Sequence, residues 1–207
     1  MPDHGTWDAV AADASAFERL LTDDVCPPPG VMLLAIAAEF RPFDPAPVSF
    51  RLDELARELF DAVAQPDPGA ASHRLAALLT DELRLRTDEA SVDGIWLDAV
   101  LARRAGHPLA LAVLAAEIGR RAGLAVGVCS TPTGWYAGLG GRERLWLIDP
   151  ALDPGPTPSG PIRRHCGHEV GFAALTGIYA RMIRDGEGGR ACHAAQLRGR
   201  LPVGRHD

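Results

Sequence analysis

The sequence has no lysine, few aromatic residues and no surplus of basic charge. All 21 basic residues are arginine; 27 acidic residues outnumber them, and the formal net charge is −6. This balance argues against nucleic acid as a partner, because phosphate binding depends on a basic surface. We interpret the use of arginine alone as the coding bias of a G+C-rich genome and not as a binding feature.

Long hydrophobic runs and a high cysteine content are also missing. The longest uninterrupted apolar runs, Val31–Ala38 and Leu109–Ala116, have eight residues, against about 20 for a membrane-spanning helix. The first residues lack the basic segment and apolar core of a secretory signal. The four cysteines are widely spaced, at Cys26, Cys129, Cys166 and Cys192. We therefore expect a soluble, cytoplasmic protein with reduced thiols and no membrane partner.

The order of periodic segments predicts an α+β fold. With 47% apolar residues, 207 residues suffice for one domain with a substantial core. Helical spacing dominates the N-terminal half, and strand character begins only after Gly123, so we expect a helical lobe, then a central helix on a small antiparallel sheet. The predicted divisions are an N-terminal helical extension (1–30), a main domain (31–184) and a flexible tail (185–207). Within the main domain we expect a helical lobe (31–94), a core (95–150) and a proline-rich loop with a last helix (151–184).

The best-specified helix covers residues 108–121. Pro108 suits the first position of a helix, and apolar residues from Leu111 to Ile118 recur at helical spacing. Gly123 is suited to the left-handed conformation that ends a helix. This helix is predicted to be central to the fold.

A hairpin and a final helix are predicted after it. Two short apolar segments flank Gly140–Gly141, a pair typical of a hairpin turn. We expect the sheet to end at Asp149–Pro150 and the stretch from Asp153 to Pro161 to be irregular. Glu169–Ile183 is predicted to be the last helix.

The segment LDAVLARRAGHPLALAVLAAEIGRRAGLAV, residues 97–126, resembles the SirB1 family, whose N-terminal region has a transglutaminase-like fold. The matching positions are Leu97, Val100, Leu101, Arg104, Gly106, Pro108, Arg120, Gly123 and Leu124. The resemblance extends over roughly residues 31–150. In active transglutaminase-like enzymes a cysteine opens the central helix, where the helix N-terminus and an imidazolium lower the pKa of the thiol. A histidine and an aspartate follow on the next two strands, and SirB1-like sequences commonly carry serine at the helix start.

The resemblance implies that two of these three catalytic positions are vacated. The nucleophile position falls at Ala110, and no residue nearby in the first turn carries a thiol or hydroxyl. The histidine position falls at Gly134, in a segment that aligns with the family's Pro-Gly-His-Phe. Only the acid remains, as Asp149, which equally suits a turn before Pro150. An aspartate alone cannot perform acyl transfer, so we predict a non-catalytic module without a cofactor.

The predicted partner is an unidentified protein or peptide. The residues expected to form its binding cleft at the vacated site are His107, Trp135, Tyr136 and Asp149. A further alternative is that a partner binds to the helical lobe and that the cleft has no role.

The sequence also contains a cluster of soft ligands, His165–Cys166–His168, with Cys192–His193 downstream. An alternative function is therefore a hydrolase with relocated catalytic residues, either a Cys166/His168 thiol enzyme or a zinc enzyme. The spacing fits no common zinc motif, so no metal site is predicted, and Cys166 and His168 stay an alternative. Cys129 is interpreted as a buried packing residue.

Overall fold

A computed structural model describes residues 16–22, 25–62, 67–140, 144–149 and 160–202 of the chain. The α-helices in these ranges are α1 (Ala16–Thr22), α2 (Pro29–Phe40), α3 (Ala46–Ala62), α4 (Pro68–Ala77), α5 (Leu97–Arg103), α6 (Pro108–Arg121), α7 (Gly167–Arg184) and α8 (Gly188–Arg200). A π-helical turn, Leu78–Glu82, continues α4, and a 3₁₀ turn, Val92–Ile95, precedes α5. None of the described helices combines the length and apolarity needed to cross a membrane.

The strands form two small sheets. They are β1 (Arg86–Thr87), β2 (Ala105–Gly106), β3 (Val126–Thr131), β4 (Gly134–Gly140), β5 (Leu145–Ile148) and β6 (Arg163–His165). The larger sheet has the order β5-β4-β3-β6 and is antiparallel throughout, whereas β1 and β2 form a short parallel pair. The predicted α+β architecture is confirmed.

The core forms where two apolar helices are enclosed. Gly30–Ala37 of α2 is buried on all sides, as its unbroken apolar sequence requires. In α6, Leu109–Gly119 is buried as well, because the helix contacts β3 and β4 on one side and α2 and α3 on the other. Helix α2 also packs against α7. The predicted central role of α6 is confirmed.

Helix α6 and β3 run in opposite directions, because only residues 122–125 connect them. At the end of α6 that leads into β3, the helix packs on Val126: a Cβ added to Gly119 would lie 2.8 Å from Cγ1 of Val126. Val126, Val128 and Ser130 alternate with residues that point to the other face. Ser130 therefore belongs to the sheet face toward α6, at the end near the first turn of that helix.

Two boundary predictions are wrong. The predicted flexible tail contains α8, which buries Ala191, Ala194 and Leu197 and packs against α7. The apolar stripe has only three residues at three-residue spacing and lies among glycines and arginines, so the sequence pattern does not indicate a helix clearly. The sheet also does not end at Asp149, because β6 returns to pair with β3.

Other predictions are partly tested. Glu169–Ile183 is helical within α7, but α7 is followed by α8 and is not the last helix. Strand structure begins before Gly123, although only as the two-residue β1 and β2. Residues 1–15 of the predicted extension, Gly141 of the hairpin pair, Pro150, the irregular stretch as far as residue 159 and residues 203–207 lie outside the described residues.

Candidate functional site

The first turn of α6 carries buried apolar side chains. His107 caps the helix: its Nδ1 accepts a hydrogen bond of 3.2 Å from the backbone N–H of Leu109, and Pro108 takes the first helical position. Leu109 is 2% exposed, and Ala110, the predicted vacated nucleophile position, is fully buried. This turn therefore presents neither a thiol nor a hydroxyl group at the position where the resemblance places a nucleophile.

The predicted cleft residues on β4 point in opposite directions. Trp135 pairs with Ser130 and shares the sheet face toward α6, whereas Tyr136 pairs with Cys129 on the other face. Gly134 also belongs to that other face, since a Cβ there would lie 3.3 Å from Oη of Tyr136. Successive side chains of a strand alternate between faces. Trp135 and Tyr136 therefore do not line one cleft, and the predicted histidine position at Gly134 is directed away from α6.

The two other predicted cleft residues, His107 and Asp149, lie next to different elements, before α6 and after β5. Burial lowers the pKa of His107, and the positive charge of Arg181 lowers it further, whereas Glu89 acts in the opposite sense. These two charged residues lie on α7 and after β1. Asp149 directly follows β5 and is half-buried. Because Trp135 and Tyr136 lie on opposite faces of the sheet, the four residues do not all line one cleft.

A hydrogen-bonded pair that the sequence analysis missed lies on the sheet face toward α6. Oγ of Ser130 on β3 is 2.7 Å from Nε2 of His165 on β6. Nδ1 of His165 is 3.5 Å from Oε2 of Glu169, and the His165 ring packs on Trp135 with centroids 4.8 Å apart. Burial lowers the pKa of His165, against the opposing effect of Glu169. No local sequence motif predicts this pairing, because Ser130 and His165 are 35 residues apart.

Serine, histidine and glutamate are the residue types of a hydrolytic triad, but the glutamate has other partners. Oε2 of Glu169 accepts a hydrogen bond of 3.1 Å from the backbone N–H of Cys166, at the start of α7. Its other carboxylate oxygen pairs with Arg163. The 3.5 Å separation from His165 is longer than a normal N–H···O hydrogen bond. Glu169 therefore caps α7 first and orients His165 only weakly.

The predicted ligand cluster is divided between two places. His165 faces Ser130, whereas Cys166 and His168 face Cys26, which the sequence analysis did not assign to the cluster. Sγ of Cys26 is 3.5 Å from Nδ1 of His168. On the opposite side of the ring, Nε2 of His168 lies 2.9 Å from the backbone carbonyl oxygen of Leu20 and donates to it.

The remaining cysteines lie elsewhere. Cys192 is exposed on α8, and the neighbouring His193 packs its ring against Phe40 with centroids 5.2 Å apart. Cys129 is fully buried, in agreement with its interpretation as a packing residue, and burial raises the pKa of its thiol.

The sequence profile of the transglutaminase-like superfamily matches residues 46–154, which is just over half of the 207-residue chain. The chain belongs to the transglutaminase-like superfamily. No curated protein and no solved structure is significantly similar to it. The match begins at the first residue of α3 and ends after β5, so it includes α6, Ser130 and Asp149. Helices α1, α2, α7 and α8 lie outside it, as do Cys26, Cys166 and His168.

Proposed function

We propose that the protein is a SirB1-like member of the superfamily that has lost the cysteine chemistry of its catalytic relatives and binds a protein or peptide partner. The observation that carries this proposal is the first turn of α6. Leu109 and Ala110 are buried there, and cysteine reactivity in such a fold depends on a thiol at the helix N-terminus. The loss of one essential nucleophile removes the covalent step.

The surface that best supports binding lies on α3 and belongs to the helical lobe. Phe50 and Phe60 are 63% and 65% exposed and lie about 15 Å apart along the helix. Asp53 and Arg57 lie between them, and we call these four residues the α3 surface. Beside Phe60 is a concavity of about 330 Å³, lined by Asp53, Ala56, Arg57, Phe60 and Arg121. Two exposed aromatic rings with charges of both signs suit an amphipathic peptide.

Covalent probes test the absence of catalysis. A Cys192→Ser background removes the exposed thiol, and the protein is then incubated with an acyl thioester and with an amide substrate analogue. We expect no stoichiometric acyl adduct by intact mass. An adduct on one residue that a single substitution abolishes would overturn the non-catalytic assignment.

Peptide selection tests the α3 surface. Peptides selected from a random display library on the whole protein are compared on the wild type, on the double variant Phe50→Ser/Phe60→Ser and on Phe172→Ser, which removes an exposed aromatic ring on α7. We expect the double variant to weaken binding at least ~10-fold, equal to about 1.4 kcal/mol, and Phe172→Ser to have no effect. Equal binding to all three proteins would refute the assignment of this surface.

One observation favours a second candidate, a serine hydrolase. The 2.7 Å contact between Ser130 and His165 is the nucleophile–base geometry of such enzymes. A fluorophosphonate probe distinguishes the two functions: an adduct on Ser130 that is lost in Ser130→Ala and retained in Ser91→Ala supports the hydrolase. Unlabelled protein rejects it and agrees with a purely structural hydrogen bond.

A further inference from the structure

The start of α7 lies against the segment that connects α1 to α2. Cys26 comes three residues before α2, Cys166 is the N-terminal capping residue of α7, and His168 is the second residue of that helix. Gly167 lies between Cys166 and His168, and a Cβ there would overlap the backbone carbonyl oxygen of Pro27. The close approach of these backbones brings together three side chains from two regions that are about 140 residues apart.

The spacing of the three side chains is close to that of a tetrahedral metal centre. Their ligand atoms, two Sγ and one imidazole nitrogen, all lie within 4.8 Å of one another. Zn–S and Zn–N bonds of tetrahedral zinc imply S···N and S···S separations of about 3.6 and 3.8 Å. The observed distance from Sγ of Cys26 to Nδ1 of His168 is 3.5 Å. One ion can therefore contact all three atoms after a small movement of Cys166.

The imidazole is already oriented as a metal ligand. Nε2 of His168 donates to the carbonyl oxygen of Leu20 at 2.9 Å, which directs the Nδ1 lone pair toward Cys26. Backbone carbonyls fix the tautomer of metal-bound histidines in this way. His168 is only 1% exposed, so its position is held by the surrounding protein.

The sulfur atoms also lie in suitable surroundings. Sγ of Cys166 lies at the N-terminal end of the 18-residue helix α7. Sγ of Cys26 is partly buried and lies 3.5 Å from Nδ1 of His168. A bound cation would displace the thiol protons, because cysteine binds metals as thiolate.

We propose that Cys26, Cys166 and His168 bind one thiophilic divalent cation, for which Zn²⁺ is the best fit. Two sulfurs and one imidazole nitrogen select zinc over magnesium or calcium, which prefer oxygen ligands. The ion would fasten the α1–α2 connection to α7. This site lies outside residues 46–154 and is independent of the binding function proposed for α3.

Metal analysis and cobalt titration of the full chain test the site. We expect one zinc per chain after purification without chelator, and a thiolate-to-cobalt absorption band that saturates at one equivalent when reduced, metal-free protein is titrated with Co²⁺. Cys166→Ser and His168→Gln should abolish the stoichiometric band. The matched controls Cys192→Ser and His193→Gln remove the same residue types on α8 and should leave it unchanged.

Zinc protection of the wild type avoids dependence on variants that fail to fold. Zn²⁺ should slow alkylation of Cys26 and Cys166 by iodoacetamide at least ~10-fold and leave the alkylation of Cys192 unchanged. Reduced protein that binds neither Zn²⁺ nor Co²⁺ stoichiometrically would overturn the proposal. A Cys26–Cys166 disulfide, detected as a mass loss of two hydrogens, would overturn it equally if the reduced form binds no metal.

Discussion

Arg121 on α6 donates a hydrogen bond of 2.9 Å from Nη1 to the backbone carbonyl oxygen of Ser49 on α3. The same guanidinium pairs with Asp53 on α3 and, through Nε, with Glu117 at 3.1 Å. The side chains of Arg121 and Glu117 are only 7% and 2% exposed. This buried ionic network holds α3, and with it the α3 surface, against the central helix.

Arg121→Met should destabilise the protein by about 3 kcal/mol. The substitution leaves Glu117 buried with Arg120 as its remaining cationic partner in the network, and removing one partner of a buried ion pair typically costs about 3–5 kcal/mol. Urea unfolding at pH 7 measures the effect. Arg51→Met, in the exposed Arg51–Glu54 pair, is the control and should cost less than about 1 kcal/mol. Equal effects of the two substitutions would show that the network does not stabilise the fold.

Gly94→Ala should also destabilise the fold, by about 1–3 kcal/mol. A Cβ at Gly94 would lie 2.7 Å from the backbone oxygen of Asp88 and 3.1 Å from the backbone nitrogen of His107. Both atoms belong to the main chain and cannot move without disturbing the start of α6. Gly188→Ala, where a Cβ meets nothing within 4 Å, is the matched control. A thermal shift shared by both variants would contradict the steric argument.

His107 should contribute, together with the partly buried His165, to a fall in the stability of the protein below about pH 6.5. Burial lowers the pKa of His107 in the folded state, so the unfolded chain binds a proton more readily than the folded protein does. The associated stability is complete above the unfolded pKa and is lost as the pH falls toward and through the folded pKa, by at most about 1.4 kcal/mol per pH unit. Protonation also converts Nδ1, the acceptor that caps α6, into a donor.

His107→Asn isolates this effect, since asparagine caps helices well and does not titrate in this range. Urea unfolding of wild type and variant at pH 5, 6, 7 and 8 should show similar stabilities at pH 8. The wild type should lose stability relative to the variant below about pH 6.5. Parallel pH profiles for the two proteins would assign the titration to another group.

The fold was predictable where local patterns and tertiary packing agree. Pro108 and the apolar spacing from Leu111 to Ile118 identify α6 from sequence, and the unbroken apolar run after Pro29 identifies α2 as buried. Strand β6 could not be predicted, because its three residues, Arg163–His165, carry no apolar alternation and form a strand only by pairing with β3.

The candidate sites were less predictable, because they depend on contacts between distant segments. The Cys166–His168 spacing was visible, but Cys26 joins it only through the packing of Pro27 against Gly167. The predicted cleft failed for a local reason that the sequence already contained. Trp135 and Tyr136 are consecutive residues of one strand, and the two-residue period of a strand places them on opposite faces.

A double-mutant cycle should show that the Ser130–His165 hydrogen bond stabilises the fold. Ser130→Ala removes the hydroxyl, and His165→Phe keeps a ring against Trp135 without ring nitrogens. A partly buried hydrogen bond of this kind contributes about 1 kcal/mol. Unfolding of the two single variants and the double variant should give a coupling energy of at least about 0.5 kcal/mol. The exposed Thr131–Thr133 hydroxyl pair is the control and should couple by no more than a few tenths. Strict additivity at Ser130 and His165 would show that their contact does not stabilise the fold.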